Sequence, residues 1–327
     1  MQAIVCGLGS MGRRRIRILK NRFPHVRIFA VDPDRERTRA VEQDVYSTGY
    51  DFFETFNAVK PEVVFVCSPP ASHSDFVIFA LENGAHTFSE LNLVAQKYDE
   101  IIKAAASSGK KAFLSSTFLY NREIIWIADM ARHDSGLSYR YHTGQYLPDW
   151  HPWEDYRSFF VSEKETNALR EIMAIEFPWI FKAFGRVTDY RCMARRLSQL
   201  DIDYPDTLHM ILNHENGNMG SISFDCVSIR PVRHLEVYND RCFFTWEGRP
   251  GTLTRYSDKK KAQVPVRVYD DIIDDEDYAE FIFDNPYEEE IQTFFAMIEK
   301  ENICPAHDYK QDRIIISFID RIEAQYE

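Results

Sequence analysis

Short apolar runs alternate with stretches of helical spacing over the first third of the chain. The apolar runs cover residues 3–6, 26–31, 63–67, 86–89 and 111–115. The stretches of helical spacing between them cover residues 13–23, 35–45, 74–82 and 98–106. Strands buried on both faces of a sheet are continuously apolar, so this alternation predicts an α/β fold with a doubly wound parallel sheet. We place this domain at residues 1–118.

The pattern changes after residue 118. Helices are predicted at 122–131 and 167–184, with a long aromatic loop between them. Strands without intervening helices follow at 187–195, 207–214, 220–229, 235–238 and 242–246, and the chain ends with helices at 287–300 and 309–324. Strands joined by short turns such as Asn216-Gly217 are typical of antiparallel sheets. Residues 119–327 are therefore predicted to form an α+β domain with a mostly antiparallel open sheet, and its last helices could pack back on the first domain.

The composition is that of a globular protein in a reducing compartment. Hydrophobic residues make up 45% of the 327 positions, enough for the cores of two domains. The six cysteines are scattered without a C-x-x-C pair, so we expect reduced, buried thiols. No apolar run approaches the length of about 18 residues that spans a membrane, and the N-terminal residues read as a strand rather than a signal peptide. We expect a cytoplasmic protein without a membrane partner, and the net charge of −12 argues against a nucleic-acid partner.

A glycine-rich turn joins the first predicted strand to the first predicted helix. Residues 7–12 read Gly-Leu-Gly-Ser-Met-Gly. The first glycine allows a tight turn, the second lets the backbone approach a pyrophosphate, and the third lets the helix pack closely on the strand. The phosphates then lie at the helix N-terminus, where the dipole favours negative charge. The motif predicts a dinucleotide site that includes Gly7, Gly9, Ser10, Met11 and Gly12.

An acidic residue at the end of the second predicted strand indicates which dinucleotide is bound. Asp32 follows Gly12 by 20 residues, the spacing at which a carboxylate meets the adenosine ribose. A carboxylate there accepts hydrogen bonds from both ribose hydroxyls and repels a 2′-phosphate, so NAD is favoured over NADP. Arg35 and Arg37 could accommodate a phosphate, although solvated charges on the next helix are the simpler interpretation.

Further motifs carry a resemblance to a known family. They are Cys67-Ser68-Pro69-Pro70 followed by His73, the segment 82–90, the stretch from Asp206-Thr207 to Asn216-Gly217, and Gly220-Ser221-Ile222. With the glycine-rich turn, they resemble the glucose-fructose oxidoreductase, inositol dehydrogenase and MocA family over nearly the whole chain. The resemblance implies an N-terminal Rossmann domain, a C-terminal domain whose open sheet often mediates homodimers or homotetramers, and hydride transfer at a sugar or cyclitol hydroxyl. It also implies cofactor contacts by Ser68, Pro69, His73 and Glu90, although His73 could instead cap the following helix.

The chain departs from this family where the proton is handled. Members usually carry Glu-Lys-Pro after the fifth strand, with the lysine beside the nicotinamide, whereas residues 90–92 here read Glu-Leu-Asn. Leucine cannot take the hydroxyl proton when hydride leaves. Ile175 occupies the position expected for the family's histidine, and Pro178 the position where an acid is common. Glu176, next to Ile175, is therefore one candidate for the missing acid or base.

Residues 144–157 combine aromatic rings, carboxylates, a histidine and a guanidinium. Aromatic faces stack on sugar C–H groups, and Asp, His and Arg side chains bind hydroxyls or carboxylates, so the segment is typical of a carbohydrate pocket. The predicted substrate-binding residues are Tyr146, Asp149, Trp150, His151, Trp153, Tyr156 and Arg157. His151 is the first candidate for general acid or base, because imidazole exchanges protons near neutral pH, and Tyr146 and Glu176 are further candidates. The alternative is a structural loop whose tryptophans plug the domain junction and whose charges cap helices.

These observations predict an oxidoreductase that uses NAD on a carbohydrate or sugar nucleotide. Segment 144–157 resembles a branch of the family associated with bacterial surface-sugar pathways, including nucleotide-linked sugars and nonulosonic acids. Two alternatives stay open because the usual lysine and histidine are missing: a cofactor-binding partner or regulatory protein without redox activity, and an epimerase or lyase that cycles its NAD. No metal site is predicted, because His209 and His214 are five residues apart on a predicted strand and should lie on opposite faces.

Overall fold

The protein consists of two compact units. The computed structural model describes residues 1–151, 154–272, 283–300 and 302–326. Met1–Thr117 and Tyr287–Ile316 form the first unit, and Phe118–Pro286 and Ser317–Glu327 form the second. Residues near the C-terminus therefore contribute to both units.

A six-stranded parallel sheet forms the centre of the first unit, in the order β3-β2-β1-β4-β5-β6. Its strands are β1 (Gln2–Cys6), β2 (Arg27–Val31), β3 (Ser47–Gly49), β4 (Val63–Val66), β5 (His86–Ser89) and β6 (Ala112–Leu114). The helices that alternate with them are α1 (Ser10–Arg22), α2 (Arg35–Val41), α3 (Phe52–Val59), α4 (His73–Glu82) and α5 (Tyr98–Ser108). The predicted doubly wound sheet is confirmed. The strand order reverses between β1 and β4, where such sheets bind ligands beyond the carboxyl ends of their strands.

Two short elements of the first unit, β3 and α3, do not stand out in the sequence pattern. Helix α3 begins after Asp51, whose carboxylate accepts a hydrogen bond from the Glu54 N–H at 2.8 Å, and it buries only Phe52 and Phe56. Two buried positions are too few for a periodic pattern to identify a helix. The helix predicted at 35–45 ends at Val41, its last buried residue, so the extension to residue 45 is wrong.

An eight-stranded sheet forms the second unit, in the order β14-β13-β12-β11-β7-β10-β9-β8. Its strands are β7 (Ser138–Gly144), β8 (Val187–Arg195), β9 (Thr207–His214), β10 (Met219–Asp225), β11 (Val232–Tyr238), β12 (Phe243–Trp246), β13 (Thr254–Ser257) and β14 (Ala262–Pro265). Strands β7 and β10 pair in parallel, and the other neighbours pair antiparallel. Helices α6 (Arg122–Arg132) and α7 (Ala168–Phe184) belong to this unit. Helix α8 (Asn285–Glu299) lies mostly in the first unit, and α9 (Tyr309–Glu323) is divided between the two. The predicted mostly antiparallel sheet is confirmed.

Strand β7 lies in the middle of this sheet, yet the sequence pattern does not identify it. Tyr139 and Tyr141 are buried, whereas Arg140 is exposed and His142 is partly exposed. This alternation is that of a strand with one buried face. Because its buried members are tyrosines and its other members are polar, the apolar pattern is weak.

Candidate functional site

The glycine-rich turn follows β1 and is held closed by packing. Gly7 has a φ of +91°, and a Cβ on it would lie 2.5 Å from the carbonyl oxygen of Cys67. A Cβ on Gly12 would overlap the carbonyl oxygen of Gly7. Positive φ and close backbone approach are the conditions that only glycine meets without strain. The chain can therefore pass from β1 to α1 in this way only with glycine at both positions.

Gly9 differs from its neighbours because the space beside it is open. It is the N-cap of α1 with a φ of −69°, and a Cβ on it would meet no atom within 4 Å. The first turn of α1 contains no acidic residue. The helix N-terminus therefore presents open space and the positive end of its dipole to an anion. This turn fits the pyrophosphate of NAD.

Asp32 directly follows β2 and bonds to the backbone of the glycine-rich turn. Its Oδ2 accepts a hydrogen bond from the Leu8 N–H at 2.8 Å, and its Oδ1 accepts one from the Asp34 N–H at 2.8 Å. The buried carboxylate thus holds the turn against the end of β2. Each carboxylate oxygen accepts more than one hydrogen bond, so both can still serve ribose hydroxyls.

The loop after β4, residues 67–72, contacts the buried side chain of His73. Ser68 and Ser72 have hydroxyl oxygens 2.8 Å apart, and Pro69 is exposed. Nε2 of His73 lies 2.5 Å from the carbonyl oxygen of Ser68, and Nδ1 lies 2.6 Å from Oδ1 of Asn92. Each ring nitrogen of His73 is therefore within hydrogen-bond distance of an oxygen of a neighbouring residue. Burial lowers the pKa of His73, and both of its ring nitrogens are used to fix the loop rather than to cap α4.

Glu90, the last of the predicted cofactor residues, is bonded to a buried arginine. Arg15 of α1 donates to both Glu90 oxygens, at 2.6 and 3.2 Å, and to Oε2 of Glu290 on α8 at 2.9 Å. Although burial alone would lower it, the two carboxylates raise the pKa of Arg15. This ion cluster ties α1, the end of β5 and α8 together. Arg15 and Glu290 were not identified from the sequence.

The aromatic residues at the start of segment 144–157 pack within the second unit. Tyr146 and Trp150 contact a small core made of Leu147, Val161, Ala168, Leu200, Ile202, Tyr204 and Cys226. The indole N–H of Trp150 donates to the carbonyl oxygen of Gln145 at 3.0 Å. Asp149 between them is exposed. These rings therefore anchor the segment, while the carboxylate faces solvent.

Hydrogen bonds also fix residues 155–157, at the end of segment 144–157. Tyr156 packs on the same small core, and its hydroxyl accepts a hydrogen bond from the Asp201 N–H at 3.0 Å. Arg157 donates to both oxygens of Asp155, at 3.0 and 2.5 Å. These bonds lower the pKa of Asp155 to about 2. Arg157 would have to leave this pair, or share it, to bind a substrate.

His151 lies in the sequence between Trp150 and Tyr156. Its ring centroid is 4.7 Å from that of Phe159, and its Nδ1 is 3.6 Å from a carboxylate oxygen of Glu154. About a quarter of its side chain, 27%, is exposed, so the ring is accessible to a ligand. Trp153 lies outside the described residues. The structure therefore brings Tyr146, Trp150 and Tyr156 together on one core and places His151 at its edge.

The carboxylate of Glu176, in the middle of α7, accepts hydrogen bonds from three side chains. Its Oε2 accepts hydrogen bonds from the Tyr141 hydroxyl at 2.8 Å and the Trp179 indole N–H at 2.6 Å. Its Oε1 accepts one from Arg233 at 2.7 Å. Although burial alone would lower it, the charge of Glu176 raises the pKa of Arg233. Donors from β7, α7 and β11 therefore hold Glu176 within the second unit.

Glu171, in the first turn of α7, is a carboxyl group that the sequence analysis missed. The residue is half-buried, and its Oε2 is buried with no hydrogen-bond partner in the described part of the chain. Burial raises the pKa of Glu171 from 4.5 to about 7. A carboxyl group in this state can gain or lose a proton at neutral pH, as general acids and bases do. It lies one helical turn before Ile175 on the same face of α7.

Three further features bear on the chemistry. Among the described residues, no group of three or more His, Cys, Asp or Glu side chains is arranged to hold a metal ion, and His209 is exposed whereas His214 is buried. Within the same residues, no helix is long and apolar enough to cross a membrane. All six cysteines are free, but only Cys6 and Cys226 are buried and Cys304 is exposed. The expectation of six buried thiols is therefore wrong.

Solved structures with the same fold include enzymes that act on sugars. The chain is 14% identical to UDP-N-acetylglucosamine 3-dehydrogenase GnnA from Acidithiobacillus ferrooxidans, with a TM-score of 0.73 over 98% of this chain and 96% of that one. It is 16% identical to GenD2 from gentamicin A biosynthesis, solved with NAD, with a TM-score of 0.78 over 100% and 95%. It is 13% identical to the WlbA dehydrogenase from Chromobacterium violaceum, solved with NADH and UDP-GlcNAcA, with a TM-score of 0.65 over 75% and 73%. At these identities the likeness shows a shared fold.

A sequence comparison identifies the first unit more directly. Residues 1–116 match the sequence model of a family described as an oxidoreductase family with an NAD-binding Rossmann fold. No curated protein matches the chain. The match covers the glycine-rich turn, Asp32, the loop after β4 and Glu90, whereas the motifs at Asp206-Thr207 and Gly220-Ser221-Ile222 lie outside it. Residues 1–116 are therefore similar to this oxidoreductase family, and they form a parallel sheet of the Rossmann type.

Proposed function

We propose that the chain is an NAD-dependent dehydrogenase that oxidises or reduces a hydroxyl-bearing carbon of a carbohydrate or sugar nucleotide. The family match supports the cofactor and the class of reaction. The sugar-nucleotide enzymes among the structures of similar fold support the class of substrate. A narrower role in bacterial surface-sugar synthesis, including nonulosonic acids, rests only on the resemblance of residues 144–157.

The glycine-rich turn and Asp32 are proposed to hold the cofactor. Open space at Gly9 and the N-terminus of α1 would take the pyrophosphate, and Asp32 would accept hydrogen bonds from the ribose. When bound, NAD supplies the acceptor for a hydride from the substrate carbon. The protein must then take the hydroxyl proton, because a neutral alcohol is a poor hydride donor.

Glu171 is proposed as the group that takes this proton, and its half-buried carboxyl group is the observation that carries the proposal of an active enzyme. Its unpartnered Oε2 and raised pKa of about 7 give it the proton affinity that a base needs at neutral pH. It shares a helix face with Ile175, where the family resemblance implies a histidine. Leu91 cannot replace the family's lysine, so a carboxyl group on α7 would supply a proton acceptor that position 91 lacks.

His151 is the rival for the same role. Its ring is partly exposed and lies near a carboxylate, an arrangement that also suits proton transfer. The two candidates lie on different elements, His151 in segment 144–157 and Glu171 on α7, so each can be replaced separately. Variants of the two residues therefore decide between them.

The cofactor proposal is tested by adding a charge where the structure has room for it. The variant Gly9→Asp should fold normally, because a side chain there meets no atom, but its carboxylate should repel the pyrophosphate. We expect calorimetry to show NAD binding weakened at least about a hundredfold, with an unchanged melting midpoint. The matched control is Ser107→Asp, which adds the same charge at an exposed position of α5. Equal NAD affinity in both variants would contradict the proposed site.

The proton acceptor is tested by comparing Glu171→Gln with His151→Ala. Loss of a general base lowers turnover by about a hundredfold or more, so Glu171→Gln should show this loss at unchanged NAD affinity, whereas His151→Ala should not. Glu165→Gln, an exposed carboxylate in the segment before α7, is the control. The reverse pattern would assign the role to His151.

Two outcomes would favour the alternatives from the sequence. A wild-type protein that binds NAD but reduces none of it with sugars, sugar nucleotides or inositols would fit a cofactor-binding partner without redox activity. Transient reduction of bound NAD, followed by reoxidation without net change, would fit an epimerase or lyase. Absorbance of the reduced nicotinamide, followed in time after substrate is added, separates these outcomes from net dehydrogenation.

The open sheet is proposed to mediate a homodimer or homotetramer. Large apolar side chains are exposed on three adjacent strands: Met193 on β8 is 63% exposed, Ile211 on β9 is 52% exposed and Met219 on β10 is 49% exposed. Exposed apolar patches on sheets are typical of protein interfaces. Light scattering should therefore give a mass of two or four times 38.4 kDa, and a monomer at high concentration would contradict this proposal.

A further inference from the structure

Arg15 on α1 is buried against two carboxylates from distant parts of the first unit. Its side chain and that of Glu290 on α8 are both 0% exposed. Glu90, directly after β5, has a side chain that is 10% exposed. A buried guanidinium destabilises a protein unless it is paired and hydrogen-bonded, so its contacts must be accounted for. We call Arg15, Glu90 and Glu290 the buried clamp.

The guanidinium of Arg15 joins the two carboxylates. Its Nε donates to Oε1 of Glu90 at 2.6 Å and its Nη2 to Oε2 at 3.2 Å, the two-point contact that a planar fork makes. The same Nη2 donates to Oε2 of Glu290 at 2.9 Å. Nη1 donates to the carbonyl oxygen of Tyr287 at 3.2 Å. One side chain therefore fixes Glu90 relative to α8.

Glu290 extends the clamp to the segment that follows β6. Its Oε1 accepts hydrogen bonds from the Ser116 N–H at 2.8 Å and from the Ser115 hydroxyl at 2.9 Å. Its Oε2 accepts one from the Thr117 hydroxyl at 3.0 Å, beside the bond from Arg15. Both oxygens of Glu290 are thus used as acceptors, and together they hold this segment in place.

Both segments that the clamp holds leave the parallel sheet at its carboxyl edge. Strands β5 and β6 pair in parallel, and residues 90–92 and 115–117 directly follow them. In the strand order β2-β1-β4-β5, Asp32 after β2 and residues 90–92 after β5 lie on opposite sides of the glycine-rich turn after β1. A dinucleotide with its adenosine half at Asp32 and its pyrophosphate at the turn therefore has its nicotinamide half on the side of β4 and β5.

We propose that Arg15 and Glu290 are positioning residues, which hold Glu90 and the two residues after it in a fixed arrangement for the nicotinamide half of the cofactor. The link to the cofactor rests on the proposed function, whereas the clamp itself is a property of the protein without cofactor. Arg15 and Glu290 are fully buried, so they act through Glu90 rather than on a ligand. The segment that they position includes Leu91, where the family resemblance implies a lysine.

Order in residues 90–92 before binding should raise the affinity for the cofactor. The Glu90 N–H belongs to the sheet, because it donates to the carbonyl oxygen of Val66 at 2.9 Å. Leu91 and Asn92 lie beyond the last residue of β5. Residues outside regular structure lose conformational freedom when a ligand orders them, and this loss lowers affinity. Holding Glu90 by its side chain as well as by its backbone reduces the loss.

Two variants of the full-length chain weaken the clamp conservatively. An amide has a single oxygen, so Glu290→Gln can keep the acceptor that faces Arg15 or the one that faces Ser116, but not both. Arg15→Lys keeps the charge and loses the fork. Glu299→Gln, at an exposed position of α8, is the control for the lost charge. Ile101→Val removes a buried methylene from α5 and is the control for destabilisation of the same unit.

Hydrogen exchange of the cofactor-free protein tests the clamp without relying on NAD. Peptides that cover residues 90–92 and 115–117 should exchange at least about fivefold faster in Glu290→Gln and Arg15→Lys, because the loss of a charged hydrogen bond favours local opening. Peptides of β2 should keep the wild-type rate, and so should every peptide of Glu299→Gln. Exchange of residues 90–92 and 115–117 at the Glu299→Gln rate in both clamp variants would overturn the proposal.

Two ligands separate positioning from general destabilisation. ADP shares the adenosine and the two phosphates of NAD but lacks its nicotinamide half. Calorimetry should show NAD bound about tenfold more weakly in both clamp variants, with ADP affinity unchanged, whereas Ile101→Val should bind both ligands like the wild type. Equal weakening of both ligands, or of neither, would refute the positioning role. A wild type that binds neither ligand would refute the proposed function, and the exchange result would then decide on the clamp alone.

Discussion

Helix α7 carries two carboxyl groups, Glu171 and Glu176, whose hydrogen bonding differs. Glu176 lies in the middle of the helix and accepts hydrogen bonds from a hydroxyl, an indole and a guanidinium. Glu171, little more than one turn earlier, has a buried oxygen without a partner in the described part of the chain, and burial raises its pKa to about 7. The first carboxylate stabilises the second unit, and the second is available for proton transfer.

The comparison teaches that burial alone does not say what a carboxyl group is for. Burial raises the pKa of Glu171, whereas three donors surround the carboxylate of Glu176. Glu176 has a cation, Arg233, as one of its partners, whereas the buried Oε2 of Glu171 has no hydrogen-bond partner among the described residues. A residue chosen by its place in the sequence, such as Glu176 beside Ile175, can therefore be structural while its neighbour carries the chemistry.

The largest effect on folding is expected from removing the bonded carboxylate. Glu176→Leu leaves Arg233 buried without its counter-charge, and breaking a buried pair in this way costs about 3 kcal/mol or more. Denaturant unfolding measures this loss in the free energy of unfolding. The double variant Glu176→Leu/Arg233→Met removes both charges and should recover a large part of the loss. A single variant within about 1 kcal/mol of wild type would show that the pair does not stabilise the unit.

A smaller and opposite effect is expected from Glu171→Gln. The pKa of Glu171 is raised from 4.5 to about 7 in the folded protein, so the folded state binds the proton more tightly and stability falls as the pH rises from 4.5 through about 7. Glutamine cannot ionise, so the variant should exceed wild type by about 1 to 2 kcal/mol above pH 8 and should match it near pH 4.

The pH series has its own control. Burial also raises the pKa of Glu123 to about 7, so part of the wild-type pH dependence should remain in Glu171→Gln. The exposed variant Glu165→Gln should keep the full wild-type dependence. The difference between the two variants isolates Glu171, and identical pH profiles of unfolding would contradict its raised pKa.

The smallest effect on stability is expected at the end of segment 144–157. Arg157 and Asp155 form an exposed pair, so Arg157→Ala should leave the denaturation midpoint unchanged. If Arg157 binds substrate as the sequence suggests, the same variant should raise the KM for the sugar by about tenfold or more, since a charged hydrogen bond is lost. Arg195→Ala, at an exposed position on β8, is the control. An unchanged KM would leave Arg157 as a partner of Asp155 alone.

The fold and the cofactor turn could be predicted because their signals are local. The turn 7–12 lies between one strand and one helix, and Asp32 ends the next strand, so spacing along the chain was enough. Strand β7 escaped because its inward positions, Tyr139 and Tyr141, are not the aliphatic residues that mark a strand. Its partners come from distant segments, which no local pattern reports.

The candidate site was harder to predict because its meaning depends on tertiary contacts. Arg15 pairs with Glu290, 275 residues away, although its spacing to the buried Ile18 and Leu19 could have placed it on the inward face of α1. No motif around Glu171 marks it as a candidate acid or base in the sequence. The feature that marks it is structural: its Oε2 is buried without a hydrogen-bond partner among the described residues. In the sequence, Asn92 stands out only because the family usually has a proline there. In the structure, its side-chain oxygen lies 2.6 Å from Nδ1 of His73.

The most direct test of the account is the pH dependence of NAD reduction, measured on saturating substrate for wild type and Glu171→Gln. A base works as its carboxylate, so wild-type turnover should rise with pH through about 7 and then level off. Glu171→Gln should be slower by about a hundredfold on the plateau and should lose this rise. Wild-type rate and pH profile in Glu171→Gln would contradict the central claim that Glu171 is the proton acceptor of an NAD-dependent dehydrogenase.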